Sequence, residues 1–235
     1  RQGADAGIIE PVLVSDADVI RAAARAIGWD ISNIAIVNAV GEEKAPAAAV
    51  ALAKSGEVAS LMKGHLHTDA LMKAVVNRKH GIRTTRRLSH VFHMTIPDDE
   101  QVLMITDGAV NVQPDLDTKI DIINNAVEMA HTLGNLNPKV ALLSGTESVL
   151  PAMPSSVDAA KVVKRANAGE VKNATVDGPF AFDNALSPDA ASVKGMDGPV
   201  AGRADILVVP NIETGNGLFK MMVYFMSGLA AGVVM

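Results

Sequence analysis

Short apolar runs alternate with stretches of helical period along most of the chain. Residues 9–14, 34–37, 58–62, 140–144, 174–177 and 206–209 read as buried strands. Between them apolar residues recur at helical spacing over 16–27, 45–54, 69–77, 116–133, 156–166, 187–194 and 218–226. Ser15 or Asp16 caps the first of these helices and Gly28 follows it. Gly56 closes the second, Thr68 caps the third, Gly134 follows the fourth, and Ser187 with Pro188 opens the sixth. Alternation of this kind predicts βαβ crossovers and an α/β fold with mostly parallel sheet. The rhythm breaks once. Strands at 90–96 and 102–106 follow each other without a helix, separated by Pro97, Asp98, Asp99 and Glu100, which read as a hairpin turn. The break predicts a change of domain: a discontinuous first domain of residues 1–97 plus 216–235, and a second of 98–215. Stretch 218–226 is apolar on all sides and is expected to be buried in the fold or in an interface.

Composition narrows the function classes. The chain has 235 residues, 49% of them hydrophobic and 20% charged, enough for a sizeable core. It carries 21 lysines and arginines against 26 aspartates and glutamates, a net charge of −5. That balance argues against a nucleic-acid partner, though not against a few arginines gripping one phosphorylated ligand. The absence of cysteine removes disulfides, a thiol nucleophile and cysteine-built metal sites. Residues 218–235 are nearly all apolar, but Lys220, Gly228 and Gly232 interrupt them and their length is marginal for a membrane span. With no signal sequence at Arg1, the expected location is cytoplasmic. Both ends read as cut, because the last residues resemble a strand that is just beginning.

Ligands of open α/β sheets bind beyond the carboxyl ends of strands, over helix starts, and three loops qualify. In the first, residues 62–68, Lys63 brings charge, Gly64 close backbone approach and Thr68 a donor at a helix start. A plain turn with a solvated lysine fits as well. The second, residues 83–90, gathers Arg83, Arg86 and Arg87 just before a strand. Arginine forks suit phosphate oxygens, although most charge runs are solvated surface, and one arginine in a cleft is expected rather than three. The third, residues 210–217, holds Gly215, Asn216 and Gly217 before the apolar helix, a weak anion-site pattern. His65, His67, His90 and His93 have no carboxylate partners at ligand spacing, so no metal is expected.

Taken in order, the motifs resemble the phosphate acetyltransferase and phosphate butyryltransferase family. The resemblance rests on MKGHLHTDALMKAV at 62–75, RRLSHVFHM at 86–94 and ITDGAVNVQPDLDTKIDIINNAVEMAHTLG at 105–134. It continues in PKVALLSGTESV at 138–149, VDGPFAFDNALS at 176–187, GPVAGRADILVVPNIETGNGLFK at 198–220 and AGVVM at 231–235. It implies two α/β domains of the isocitrate/isopropylmalate-dehydrogenase-like kind with a cleft between them, and a homodimer. It also implies reversible acyl transfer between coenzyme A and phosphate, by direct attack of the thiol on the acyl phosphate. Coenzyme A is then a substrate, with no permanently bound cofactor and no metal.

By the resemblance Arg87 is the candidate cation for phosphate or coenzyme A, and Ser89 a hydrogen-bond donor beside it. Lys63, Gly64 and Thr68 line one binding loop; Asn216 and Gly217 line another. The family's serine–arginine–aspartate segment is expected beyond Met235. Gly108 stands where some acetyl-branch members carry cysteine, and nothing essential is expected to depend on it. Two other readings stay open: a non-catalytic acyl-CoA-binding protein, and a metal-dependent decarboxylating dehydrogenase of the same fold. The second would need a nucleotide loop and an aspartate cluster, neither of which is apparent.

Overall fold

The computed structural model describes residues 1–97 and 101–235, and the chain divides into two compact units, Arg1–Thr85 and Arg86–Met235. The first unit begins with a one-turn helix, α1 (Gln2–Asp5), and holds a parallel pair of short strands, β1 (Val12–Ser15) and β2 (Ala35–Asn38), joined through α2 (Ala17–Ala26). The Asp16 carboxylate caps α2 by accepting the Asp18 N–H at 2.9 Å. Two further helices follow, α3 (Lys44–Ser55) and α4 (Thr68–Val75). Gly56 ends α3 in the left-handed conformation that glycine adopts without penalty.

The second unit is built on a six-stranded sheet. Its strands are β3 (His90–Thr95), β4 (Val102–Thr106), β5 (Lys139–Leu143), β6 (Thr175–Phe180), β7 (Ile206–Val208) and β8 (Leu229–Val234), in the order β6-β5-β7-β4-β3-β8. The neighbours from β6 to β4 pair in parallel, and β3 runs antiparallel to both β4 and β8. The helices are α5 (Leu116–Thr132), α6 (Pro154–Arg165, running into a π-helical turn), α7 (Phe182–Leu186), α8 (Pro188–Val193) and α9 (Ile212–Phe225). The central strands read as unbroken apolar runs because both faces of the sheet are covered. Val140, Leu142, Ile206 and Val208 pack with Ile123 and Val127 of α5 and Val162 of α6. Their neighbours Ala141, Leu143 and Leu207 face the opposite cluster, with Phe180, Ala185 of α7, Ala191 of α8 and Met222 of α9.

The structure departs from the expectations in several places. Residues 58–62 form no strand, so the Lys63 loop does not leave a sheet. The N-cap of α4 is His67, and Thr68 is its first helical residue. The contacts divide the chain at Thr85/Arg86, and 216–235 falls with the second unit instead of joining 1–97. The physical reason is strand pairing: β8 lies beside β3 from His90↔Val234 to Thr95↔Leu229, so β3, its partner β4 and the last helix and strand share one sheet and its core. The turn expected at 97–100 lies, for Asp98, Asp99 and Glu100, outside the described residues. Helix α9 starts at Ile212, earlier than 218, and only its inner face is covered: Met222 is buried, while Tyr224 and Phe225 are 81% and 89% exposed.

Candidate functional site

Helix α5 organises the arginine segment. It is capped by Asp115, whose carboxylate accepts the Thr118 N–H at 2.8 Å. The hydrogen bonds from Thr118, with the nearby charges of Arg87 and Arg165, hold the Asp115 carboxyl below its ordinary range. One stripe of the helix then meets residues 86–89. Asp121 Oδ2 accepts the Arg87 N–H at 2.9 Å. The Asn125 amide donates to the Arg87 carbonyl at 3.0 Å and to Ser89 Oγ at 2.9 Å. Glu128 takes the Arg86 guanidinium in an ion pair of 2.5 Å. The two arginines are thereby sorted. Arg86 is engaged through its head group. Arg87 is held by its main chain, and among the described residues its exposed guanidinium has no hydrogen-bond or ion-pair partner.

Ser89 does not fit the role expected of it. It is fully buried, its hydroxyl accepts from Asn125, and its N–H and carbonyl exchange bonds with Met235 at 3.1 and 2.9 Å. Those bonds extend the β3–β8 ladder by one pair, so Ser89 serves the end of the sheet and is not open to a ligand.

The loop after β4 and the start of α9 meet main chain to main chain. The buried Asp107 carboxylate accepts the N–H groups of Ala109, Val110 and Asn111 at 3.0, 3.0 and 3.1 Å, together with the Asn111 amide at 2.7 Å. This folds the loop onto itself and presents Gly108 to α9. A Cβ on Gly108 would stand 2.9 Å from the Gly215 carbonyl carbon, and one on Gly215 would stand 2.6 Å from the Gly108 Cα. Gly108, expected to be indifferent, is therefore a position where main chains touch. The helix start is also already occupied. The Ile212 N–H goes to the Val112 carbonyl, that of Thr214 to Asn211 Oδ1 and that of Gly215 to the Asn211 carbonyl. An anion there would find those donors taken. Asn216 and Gly217 lie one turn further on; the Asn216 amide reaches the Gly108 carbonyl at 3.4 Å, and a Cβ on Gly217 would meet nothing within 4 Å.

In the first unit the Lys63 loop closes on itself. Lys63 Nζ donates to the Leu66 carbonyl at 2.8 Å and to the Gly64 carbonyl at 3.3 Å. Gly64 and Thr68 are exposed. His67 Nδ1 shares a hydrogen bond of 2.5 Å with Glu42 Oε1, which keeps the imidazole protonated to higher pH than usual. Lys63, Gly64 and Thr68 thus sit together in one unit, and Arg87 belongs to the other.

Sequence reading missed Asp121, Asn125 and Glu128. Their signal was present: polar residues at i, i+4 and i+7 on a helix whose other positions are mostly buried and apolar. It also missed Asn184, fully buried with its amide 3.4 Å from Glu147 Oε2, while Lys194 holds the other Glu147 oxygen at 2.9 Å. Among the described residues no three His, Asp or Glu side chains are grouped to hold a metal ion, and no helix is long and apolar enough to cross a membrane.

Comparison with known proteins agrees with the motif order. Residues 42–235 match the family model described as Phosphate acetyl/butaryl transferase. The phosphate acetyltransferase of Rickettsia prowazekii (strain Madrid E) is 43% identical over 235 residues, which is all of this chain and 67% of the relative. The phosphate butyryltransferase of Clostridium acetobutylicum is 42% identical over 228 residues, 97% of this chain and 76% of the relative. Among solved structures, the crystal structure of a branched-chain phosphotransacylase from Enterococcus faecalis V583 superposes with a TM-score of 0.81 at 32% identity, covering 95% of this chain and 88% of that one.

Proposed function

The chain belongs to the phosphate acetyl/butyryl transferase family, and from that premise we propose that it is an acyltransferase that moves a short acyl group, acetyl or butyryl, reversibly between coenzyme A and inorganic phosphate. The observation that carries this reading is Arg87, whose guanidinium has no hydrogen-bond or ion-pair partner among the described residues and whose main chain is bonded on both sides, inside the stretch that matches the family model.

In the direction of acyl-CoA synthesis the coenzyme A thiolate attacks the carbonyl carbon of the acyl phosphate. A C–S bond forms, the C–O bond to phosphorus breaks, and phosphate departs with the electron pair. The thiol has an ordinary pKa of about 8.5, so a base must take its proton. The departing phosphate gathers charge that a cation must meet. A guanidinium fork meets two phosphate oxygens at once, and in this reading Arg87 supplies it. Arg86 does not, because Glu128 holds it. Lys63 enters as a second cation for the phosphates of coenzyme A, with part of its donor set already given to Leu66 and Gly64.

The isocitrate-dehydrogenase-like form of the fold, a cytoplasmic location and a homodimer belong to the same reading. The homodimer is supported by the uncovered outer face of α9, where Met221, Tyr224, Phe225 and Met226 are exposed.

The test is release of free coenzyme A from acetyl-, propionyl- and butyryl-CoA with and without phosphate. Release that requires phosphate is expected, and the best acyl group identifies the pocket, since one methylene changes efficiency by about 10- to 200-fold. Release without phosphate indicates a thioester hydrolase and removes the reading, as does no release from any of the three.

A further inference from the structure

The stripe of α5 that meets residues 86–89 treats adjacent arginines in opposite ways. Glu128 binds the head group of Arg86. Asp121 and Asn125, one turn apart, leave the head group of Arg87 alone and bind its peptide groups, one accepting its N–H and the other donating to its carbonyl. We propose that Asp121 and Asn125 are positioning residues for Arg87: they fix its main chain on both sides, and so the direction in which the guanidinium leaves the backbone, without using any of its donors. The inference rests on the reading of Arg87 as the phosphate-binding cation.

The arrangement suits that task. Asn125 is 4% exposed, and its amide is shared among the Arg87 carbonyl, Ser89 Oγ and, at 3.5 Å, the Met235 carbonyl. Ser89 is bonded in turn to Met235 at the end of the sheet. Both peptide groups of Arg87 are thereby held by α5, and the shared Asn125 amide links that hold to the end of the sheet. An arginine side chain has several rotatable bonds, and a two-point grip on phosphate needs the fork held near one orientation. Fixing the peptide on both sides removes the backbone share of that freedom before the ligand arrives. A residue whose head group is already paired with a carboxylate, as Arg86 is, offers an anion fewer donors and less charge.

A cycle of variants separates positioning from stability. Efficiency with phosphate as the varied substrate is measured for Asn125→Ala, Asp121→Ala and Asp121→Asn, each with Arg87 intact and with Arg87→Ala. The melting temperature of every variant is recorded. With Arg87 intact, Asn125→Ala and Asp121→Ala are expected to lose about 5- to 30-fold, mainly through the KM for phosphate, and Asp121→Asn, which keeps an acceptor oxygen, less than about 3-fold. In the Arg87→Ala background the same changes are expected to cost less than about 2-fold, because the residue they act through is gone. If Asn125→Ala does not fold, Asp121→Ala carries the cycle, since Asp121 is only half-buried.

Equal losses in both backgrounds would overturn the inference, because the two residues would then serve the fold and not Arg87. No loss with Arg87 intact overturns it as well. Wild-type efficiency of Arg87→Ala by itself is a separate result: it removes the phosphate role of Arg87, on which the inference rests.

Discussion

The Lys63 loop and the Arg87 segment both place a cation where the sequence suggests a ligand loop, yet they are built in opposite ways. Lys63 ties its own loop together by donating to two carbonyls of that loop. Arg87 is tied by others, through its peptide groups, to a buried stretch of α5. A cation that does the tying meets a ligand with only the donors its own loop leaves over. A cation that is tied by others meets it with its full set of donors. The difference does not lie in charge or exposure, since both residues are exposed and both side chains carry one charge.

The comparison can be broken most directly at Arg87. Arg87→Ala is expected to lower kcat/KM by more than about 100-fold, since a charge-assisted hydrogen bond contributes about 1.5–3 kcal/mol and the fork makes two. Arg87→Lys keeps the charge and loses the fork, and should cost about 10- to 100-fold. Steady-state kinetics with phosphate and acyl-CoA varied separately measure both, and the Michaelis constant that rises names the anion held. Arg86→Ala should cost less than either, because its head group belongs to Glu128. If Arg86→Ala proves the more damaging change, the sorting of the two arginines is wrong.

Lys63→Ala tests the other side. An exposed lysine already bonded to its own loop should cost about 2- to 5-fold, seen in the KM for acyl-CoA. A loss equal to that of Arg87→Ala would mean that the loop opens in the working enzyme.

The smallest effect concerns His67 in the same loop. The Glu42 carboxylate raises its pKa in the folded protein. Its contribution to stability is therefore fully present below the unfolded imidazole value of about 6.5 and is lost as pH rises through the higher folded value. Glu42→Gln should bring the His67 titration, followed by NMR, back toward 6.5. No movement would mean that the exposed pair does not persist in solution.

The elements were legible from the sequence where two signals coincided. Helix α2 has both an apolar face and a capping carboxylate at Asp16, and the apolar runs of β5 and β7 are bounded by polar turns. The expected strand at 58–62 had an apolar run alone, and no neighbouring strand pairs with it. The domain division was not legible, because the pairing of β3 with β8 joins residues far apart in the chain and local pattern carries no trace of it. At the candidate site, Arg87 could be singled out as a residue. What distinguishes it from Arg86 could not, because the distinction is made by side chains on α5 more than 30 positions away. Ser89 illustrates the same limit: next to the arginines in sequence it suggests a ligand donor, but as a sheet-end residue it is enclosed.

The contact between Gly108 and Gly215 bears on how this family can vary. Most steric conflicts between two positions can be relieved by a compensating change, a smaller side chain opposite a larger one. Here the opposing atoms are main chain, which no substitution can trim. A relative with cysteine or alanine at the place of Gly108 must therefore carry the helix that matches α9 further from the loop after β4, by roughly the room that one methyl group requires. The residue at this place is in effect a gauge of that spacing, readable from a bare sequence.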